Sequence, residues 1–159
     1  MSKNKNYFTS SACSGRIVLL KVNQQETKHG SAFIAKWHST TTTQKIWEAL
    51  SKKTEDEIWF KQEPFILHIG CKGIKDAKIL LAAAKECGIK RAGINAATEG
   101  KFILELIGTQ NIAFPAKKDD TIIFEKKQLE YIVKRANEKL EKNYLLLEKF
   151  ESHCRKKIK

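Results

Sequence analysis

A short stretch near the N-terminus combines hydroxyl, thiol, glycine and guanidinium groups. It runs Tyr7-Phe8-Thr9-Ser10-Ser11-Ala12-Cys13-Ser14-Gly15-Arg16-Ile17. Small polar residues closed by a glycine let the backbone turn tightly and expose N–H groups. Arginine adds a planar cation that suits a carboxylate or a phosphate. The stretch therefore indicates a cradle for an anionic ligand, and a disordered terminus is the alternative interpretation.

Two histidines lie in segments that are predicted to be strands. Histidine is a common general acid or base in enzymes, so either His38 or His68 could move a proton during catalysis. The alternative for each is an ordinary strand histidine with a satisfied hydrogen bond. Trp37, beside His38, could stack on a base, or it could belong to the core.

The chain is strongly basic. Its 30 Lys and Arg residues against 18 Asp and Glu residues give a formal net charge of +12. This charge favours a polyanionic partner, with nucleic acid first, and solubility alone is the alternative. A hydrophobic content of 42% excludes a disordered chain. The length predicts one domain over residues 1–159, with flexible ends at 1–8 and 155–159.

The four cysteines form no Cys-x-x-Cys pair; they are Cys13, Cys71, Cys87 and Cys154. The N-terminus is polar rather than an apolar leader, and no apolar run is long enough to span a membrane. We therefore expect reduced thiols in a cytoplasmic protein. His68 and Cys71 have ligand-like spacing, but a structural zinc site needs a second close pair, so we expect no metal site.

Alternating elements predict an α+β fold. The predicted strands are 16–22, 31–38, 57–61, 65–70, 91–96, 101–107 and 121–124, and the predicted helices are 43–53, 76–87 and 126–156. Loops are predicted at 23–30 and around Pro115 and 117–120. We expect duplicated strand-helix-strand-strand units in a largely antiparallel sheet, with helices packed on one side. No Gly-x-Gly-x-x-Gly follows a predicted strand, so the dinucleotide fingerprint is absent.

The last predicted helix carries an apolar seam and a basic face. Its apolar residues follow a heptad-like spacing; they are Leu129, Val133, Ala136, Leu140, Leu147, Phe150 and Cys154. We expect the seam to pack on the sheet, with a free coiled coil as the alternative. The chain ends on Arg155-Lys156-Lys157-Ile158-Lys159, which could contact RNA or be a frayed end.

Together these segments resemble the wybutosine-synthesising protein 3 family. Residues 10–17 are similar to its Ser-Ser-Cys-Ser-Gly-Arg-Ile signature, which is the most specific match. Weaker matches follow in the family's order: Lys36-Trp37-His38, Glu63-Pro64-Phe65-Ile66-Leu67-His68, Ala77, Ala84, Arg91-Ala92-Gly93-Ile94, Pro115 and Asn137. The resemblance runs from about Tyr7 to Phe150, which is nearly the whole chain.

The resemblance implies a methyltransferase that uses S-adenosylmethionine. Its substrate would be the 4-demethylwyosine-type tricyclic guanosine next to the anticodon of phenylalanine tRNA, methylated at N(4). The implied catalytic residues are His68, Cys13 and Ser14. The implied contacts to S-adenosylmethionine are Ser10, Ser11, Gly15, Arg16, Gly93 and Asn137. The implied contacts to the tRNA are Trp37, His38, Arg91, Lys156 and Lys157.

The chain also departs from the family's pattern. Gly108 stands where the family tends to carry arginine, Ala12 alters the signature, and only six residues precede Tyr7. These departures leave two alternatives: a catalytically silent RNA-binding module on the same fold, and a subunit whose N-terminal segment comes from a partner. A third alternative is a basic structural protein that dimerises through its C-terminal helix.

Overall fold

The computed structural model describes residues 4–23 and 30–158. The elements in these ranges are β1 (Tyr7–Cys13), β2 (Arg16–Val22), β3 (Ala32–Trp37), α1 (Thr43–Leu50), β4 (Glu57–Glu63), β5 (Ile66–Cys71), α2 (Ile74–Cys87), β6 (Arg91–Thr98), β7 (Lys101–Ile107), β8 (Ile112–Lys118), β9 (Thr121–Ile122) and α3 (Lys126–Lys157). Most of the predicted loop at 23–30 lies outside the described residues. No helix in the described ranges combines the length and the apolar character needed to cross a membrane.

The elements group into two compact units, each with its own antiparallel sheet. Unit 1 comprises Met1–Gly15, Pro64–Thr109 and Lys142–Lys159, and unit 2 comprises Arg16–Glu63 and Gln110–Glu141. The predicted α+β class is confirmed, but the strands form two sheets rather than one. Among the described strands, β5 pairs with β1 and β7. It is therefore not in the same sheet as β3 and β4, the strands on either side of α1. One domain over residues 1–159 stays a prediction.

Unit 1 has one covered and one open sheet face. Its strands lie in the order β1-β5-β7-β6. Leu80 and Ala84 of α2 and Phe150 of α3 pack with Leu104 and Leu106 of β7 in a buried core. Because side chains alternate between the faces of a strand, the residues between these core positions point to the other face.

Unit 2 contains the five-stranded sheet β3-β2-β4-β8-β9. Its buried side chains include Leu19 of β2, Phe60 of β4, Leu50 of α1 and Leu129 of α3. Helix α1 begins after Thr42, whose side chain accepts a hydrogen bond from the Lys45 N–H at 3.3 Å. Threonine suits this position because its hydroxyl satisfies a backbone N–H of the first helical turn.

Two segments differ from the predicted elements. Residues 7–13 form β1 rather than a loop or a disordered terminus, because they pair with β5 along its length. The predicted loop around Pro115 is instead part of β8. Proline is tolerated there because β9 pairs only with Lys117 and Lys118, so β8 is an edge at Pro115.

The expected flexible ends fall only partly in the described ranges. Residues 1–3 and 159 lie outside them. Tyr7 is buried in the core of unit 1, and Phe8 follows it in β1. At the other end, Lys157 in the last turn of α3 contacts Glu86 at 2.6 Å.

Candidate active site

Four residues form a row across the open face of the unit 1 sheet. Ser11 of β1 is the register partner of His68 of β5, and His68 is the partner of Glu105 of β7. Glu105 is in turn the partner of Gly93 of β6. Paired residues in an antiparallel sheet point to the same face, so the sheet itself aligns these groups.

Both ring nitrogens of His68 make short contacts within this row. Nδ1 lies 2.6 Å from Ser11 Oγ, and Nε2 lies 2.8 Å from Glu105 Oε2. A carboxylate only accepts hydrogen bonds, so Nε2–H donates to Glu105 and the Nδ1 of a neutral ring accepts from the Ser11 hydroxyl. The arrangement can take a proton from Ser11 and place the resulting imidazolium beside a carboxylate.

A bulge in β1 brings Ser11 to the open face. The register shifts between Thr9 and Ser11, which leaves Ser10 as the extra residue. Phe8 is paired with Gly70, two residues from His68 on β5. If residues 8–11 paired regularly without the bulge, the alternation of side chains would put Ser11 on the face opposite to Phe8.

A second row lies next to the first. It contains Cys13, Ile66, Ile107 and Arg91, in the order of the strands. Cys13 and Arg91 stand at opposite edges, three strand spacings or about 14 Å apart. The sheet therefore places both residues on the face that carries His68, but it does not bring them together.

A shallow groove of about 270 Å³ opens along β6 and β7 on this side. Its walls include Arg91, Gly93, Ile94, Glu105 and Ile107. A Cβ atom at Gly93 would meet nothing within 4 Å, so the missing side chain leaves open space over the strand. The groove thus offers a guanidinium, a carboxylate and apolar carbon within a small volume.

The turn after β1 holds the next two predicted residues. Gly15 has φ 100°, a conformation that disfavours any residue with a Cβ. Ser14 is exposed and its side chain hydrogen-bonds Tyr144 of α3. Burial raises the pKa of Tyr144 above its ordinary value, and the bond with Ser14 opposes that rise. Sequence reasoning missed Tyr144, since nothing in the helical pattern distinguishes it.

Arg16 lies in unit 2 and is held by two partners there. Its Nε donates to Glu63 Oε2 at 2.5 Å, and its guanidinium carbon lies 4.7 Å from the centre of the Phe33 ring. These contacts fix the cation at the start of β2. Its predicted contact to an anionic ligand stays a prediction.

Three further residues that were predicted to bind a ligand lie in unit 2. Asn137 bonds the backbone of Thr41 through both ends of its amide. Trp37 is half-buried at the end of β3, and His38 is exposed directly after it. Their contacts to donor or tRNA stay predictions.

Lys156 and Lys157 lie on the helical side of unit 1. Both are exposed in the last turn of α3, and Lys157 contacts Glu86 of α2. Lys156 has no such contact among the described residues. Their predicted role in RNA binding is also untested.

Glu105, like Tyr144, is a site residue that the sequence did not reveal. Its side chain meets His68 only because β5 and β7 are neighbours in the sheet. The strand register sets this pairing, and the two residues are 37 positions apart in the sequence. No group of three or more His, Cys, Asp or Glu residues in the described ranges is arranged to hold a metal ion.

Comparisons with known proteins place the chain in a family. The model described as Methyltransferase TYW3 matches residues 1–156. A tRNA(Phe) 7-((3-amino-3-carboxypropyl)-4-demethylwyosine(37)-N(4))-methyltransferase of Thermococcus sibiricus is 30% identical, covering 96% of this chain and 77% of that protein. The tRNA wybutosine-synthesizing protein 3 homolog of Xenopus laevis is 27% identical, covering 99% of this chain and 64% of that protein.

Solved structures agree with this assignment. The PH1069 protein of Pyrococcus horikoshii superposes with a TM-score of 0.88 at 30% identity, over 94% of this chain and 77% of that one. A hypothetical protein of Aeropyrum pernix has the same fold, with a TM-score of 0.84 at 22% identity, over 98% and 92% of the two chains. The resemblance read from the signature residues is confirmed, and the chain belongs to the TYW3 methyltransferase family.

Proposed function

We propose that the chain transfers a methyl group from S-adenosylmethionine to N(4) of a 4-demethylwyosine-type guanosine next to the anticodon of phenylalanine tRNA. Membership of the methyltransferase family and the names of the relatives support the reaction and the substrate. One structural observation supports the place of the reaction, namely the hydrogen-bonded row of Ser11, His68 and Glu105. The tRNA substrate implies a cytoplasmic location.

The row provides a path for the proton that N(4) loses. Ser11 is exposed, so its Oγ can accept a hydrogen bond from the N–H of the base. As that proton moves to Oγ, the Ser11 proton passes to Nδ1 of His68. Glu105 then stabilises the imidazolium through Nε2–H, and the ring later releases the proton to water.

The groove beside Gly93 fits the polar end of the methyl donor. Glu105 can accept hydrogen bonds from an ammonium group, and Arg91 can donate to a carboxylate. Ile107 offers apolar contact. When bound, the donor supplies an electrophilic methyl group on a positively charged sulfur. At about 270 Å³ the groove is smaller than the ~300–1,000 Å³ usual for ligand pockets, so it holds part of the donor.

The remaining predicted residues divide between the two ligands. Cys13 and Ser14 flank the row at the end of β1 and contact the reacting base, while Ser10 and Gly15 contact the donor. The tRNA contacts Trp37, His38, Lys156 and Lys157 through its phosphates and bases. The net charge of +12 supports a polyanionic substrate.

The test is methyl transfer to phenylalanine tRNA that carries the demethylated tricyclic base. Purified protein is incubated with this tRNA and isotopically labelled S-adenosylmethionine, and the modified nucleoside is identified by mass. We expect wild-type protein to add one methyl group and His68→Ala to be slower by about 100-fold or more, as for the loss of a general base. His153→Gln is the control, since His153 lies on α3 beside Glu86.

Each part of the proposal can fail separately. Absence of the methylated nucleoside with wild-type protein, under conditions where a relative methylates the same tRNA, would overturn the function. Full activity of His68→Ala would leave the function intact and remove the row from the reaction.

A further inference from the structure

The ring of Phe8 covers Gly70 on the open face of the unit 1 sheet. Phe8 and Gly70 are register partners in β1 and β5. A Cβ atom at Gly70 would lie 2.1 to 2.6 Å from three atoms of the Phe8 ring, so only a glycine leaves room for the ring in this position. Gly70 is buried although it faces away from the core, because the ring shields it.

Phe8 contributes nothing to the core of its unit. The preceding residue, Tyr7, is buried in that core, whereas Phe8 is 44% exposed. Lys101 Nζ lies 5.7 Å from the centre of the Phe8 ring. An aromatic ring that is fixed on a sheet, open to solvent and accompanied by a cation has the composition of a nucleic-acid stacking surface.

The Phe8 ring lies on the same sheet face as the Ser11–His68–Glu105 row and close to it. Gly70 and His68 are two residues apart on β5, which corresponds to about 7 Å along the strand. Phe8 and Ser11 both face the open side because of the bulge between them. A planar base lying on Phe8 therefore extends toward the Ser11 hydroxyl, which the proposed reaction requires.

We propose that Phe8, seated on Gly70, is a stacking platform for a nucleobase of the RNA substrate. The inference rests on the proposed RNA substrate and adds the contact that orients its base. Stacking supplies affinity without base selection, because every base has a π face. The Lys101 ammonium, at the edge of the same surface, pairs with a backbone phosphate.

Fluorescence anisotropy with a labelled anticodon stem-loop of phenylalanine tRNA tests the platform. We expect Phe8→Ala to bind this RNA about 5- to 150-fold more weakly than wild type, the range for loss of one base–aromatic stack. Phe8→Trp should bind at least as well as wild type, and Phe8→Leu should resemble Phe8→Ala. Gly70→Ala should also weaken binding, since the added methyl group displaces the ring.

Ile79→Ala is the matched control. Ile79 is a similarly exposed apolar side chain, 46% exposed, on α2. This variant should bind the RNA as wild type does.

Three results would overturn the platform. The first is equal RNA affinity of wild type and Phe8→Ala, whether strong or undetectable. The second is wild-type RNA affinity in Phe8→Leu, which would mean that the contact needs an apolar side chain and not an aromatic ring. The third is a Phe8→Ala variant that loses affinity for S-adenosylmethionine alone and keeps its RNA affinity, which would assign the ring to the donor's adenine. A wild-type protein that binds RNA through Phe8 and transfers no methyl group would retain the platform and remove the proposed function.

Discussion

The Asn137 side chain hydrogen-bonds both backbone groups of Thr41, as a neighbouring β-strand would. Its Oδ1 accepts a hydrogen bond from the Thr41 N–H at 3.0 Å, and its Nδ2 donates to the Thr41 carbonyl at 2.8 Å. Thr41 is 6% exposed and precedes Thr42, the residue that caps α1. A side chain of α3 thus fixes the chain where it enters α1.

Asn137→Ala should lower the free energy of unfolding by about 2–3 kcal/mol, because two backbone groups lose their partners at a buried position. Urea denaturation measures this effect. Asn111→Ala, at an exposed loop position, should change stability by less than about 0.5 kcal/mol. Unchanged stability of Asn137→Ala together with weaker binding of S-adenosylmethionine would instead place Asn137 at the donor.

Lys117→Met should destabilise the protein by about 2–4 kcal/mol. Lys117 is 1% exposed, and its Nζ donates to the carbonyls of Leu50 and Lys52 at 2.9 and 2.8 Å. The Leu50 carbonyl ends α1 and the Lys52 carbonyl follows it, so methionine would leave both without this donor. Lys118→Met, at the exposed neighbouring position, is the control for charge and length. Equal stability of the two variants would contradict a structural role for the ammonium.

Two buried thiols should make stability fall in alkaline solution. Burial raises the pKa of Cys71 and of Cys154 to about 11, from an ordinary value of 9.0. Between pH 9 and 11 the unfolded chain loses these protons and the folded chain keeps them, so unfolding becomes easier as the pH rises. Below pH 9 both states are protonated and the effect vanishes.

Cys71→Ala isolates one of these contributions. Over pH 9 to 11, its free energy of unfolding should fall less steeply than that of wild type, by up to about 3 kcal/mol in total. Urea denaturation under reducing conditions at several pH values measures the two slopes. Parallel curves for the two proteins would show that the thiol is accessible to water in the folded state.

Glu105 should act through His68. Glu105→Ala removes the acceptor that holds Nε2–H, and we expect the rate of methyl transfer to fall by about 10- to 100-fold. Glu105→Gln keeps an oxygen acceptor without the charge and should retain more activity than the alanine variant. Nitrogen NMR of the His68 ring should show a mixture of tautomers in Glu105→Ala. An unchanged tautomer in the alanine variant would mean that Ser11 alone orients the ring.

The sequence predicted those features that depend on neighbouring residues. The start of α1 after Thr42 and the end of α2 before Gly88 follow from local backbone preferences, and the predicted helices 43–53 and 76–87 share these two limits. The positions of most strands followed from apolar alternation. Strand β1 could not be predicted in this way, because its polar residues are ordered by pairing with β5.

Only part of the candidate site could be predicted from the sequence, because the contacts between its residues depend on strand pairing. His68 and Ser11 stood out through residue type and through the family signature. Their contact depends on a strand register and on a bulge, and neither can be read from composition. Glu105 and Phe8 could be identified as site residues only from the sheet, which places Glu105 beside His68 and Phe8 over Gly70.

The bulge at Ser10 makes the length of this segment matter as much as its composition. Phe8 and Ser11 are three positions apart, yet both face the open side of the sheet. Deletion of Ser10 would leave them two positions apart in a regular strand, so the ring and the hydroxyl would both keep the open face. Loss of the bulge without a change of length would instead turn either the ring or the hydroxyl toward the helices. A deletion of Ser10 should therefore be tolerated, whereas a change that straightens the strand at its present length should not. Functional relatives should accordingly have either three positions with a bulge or two positions without one.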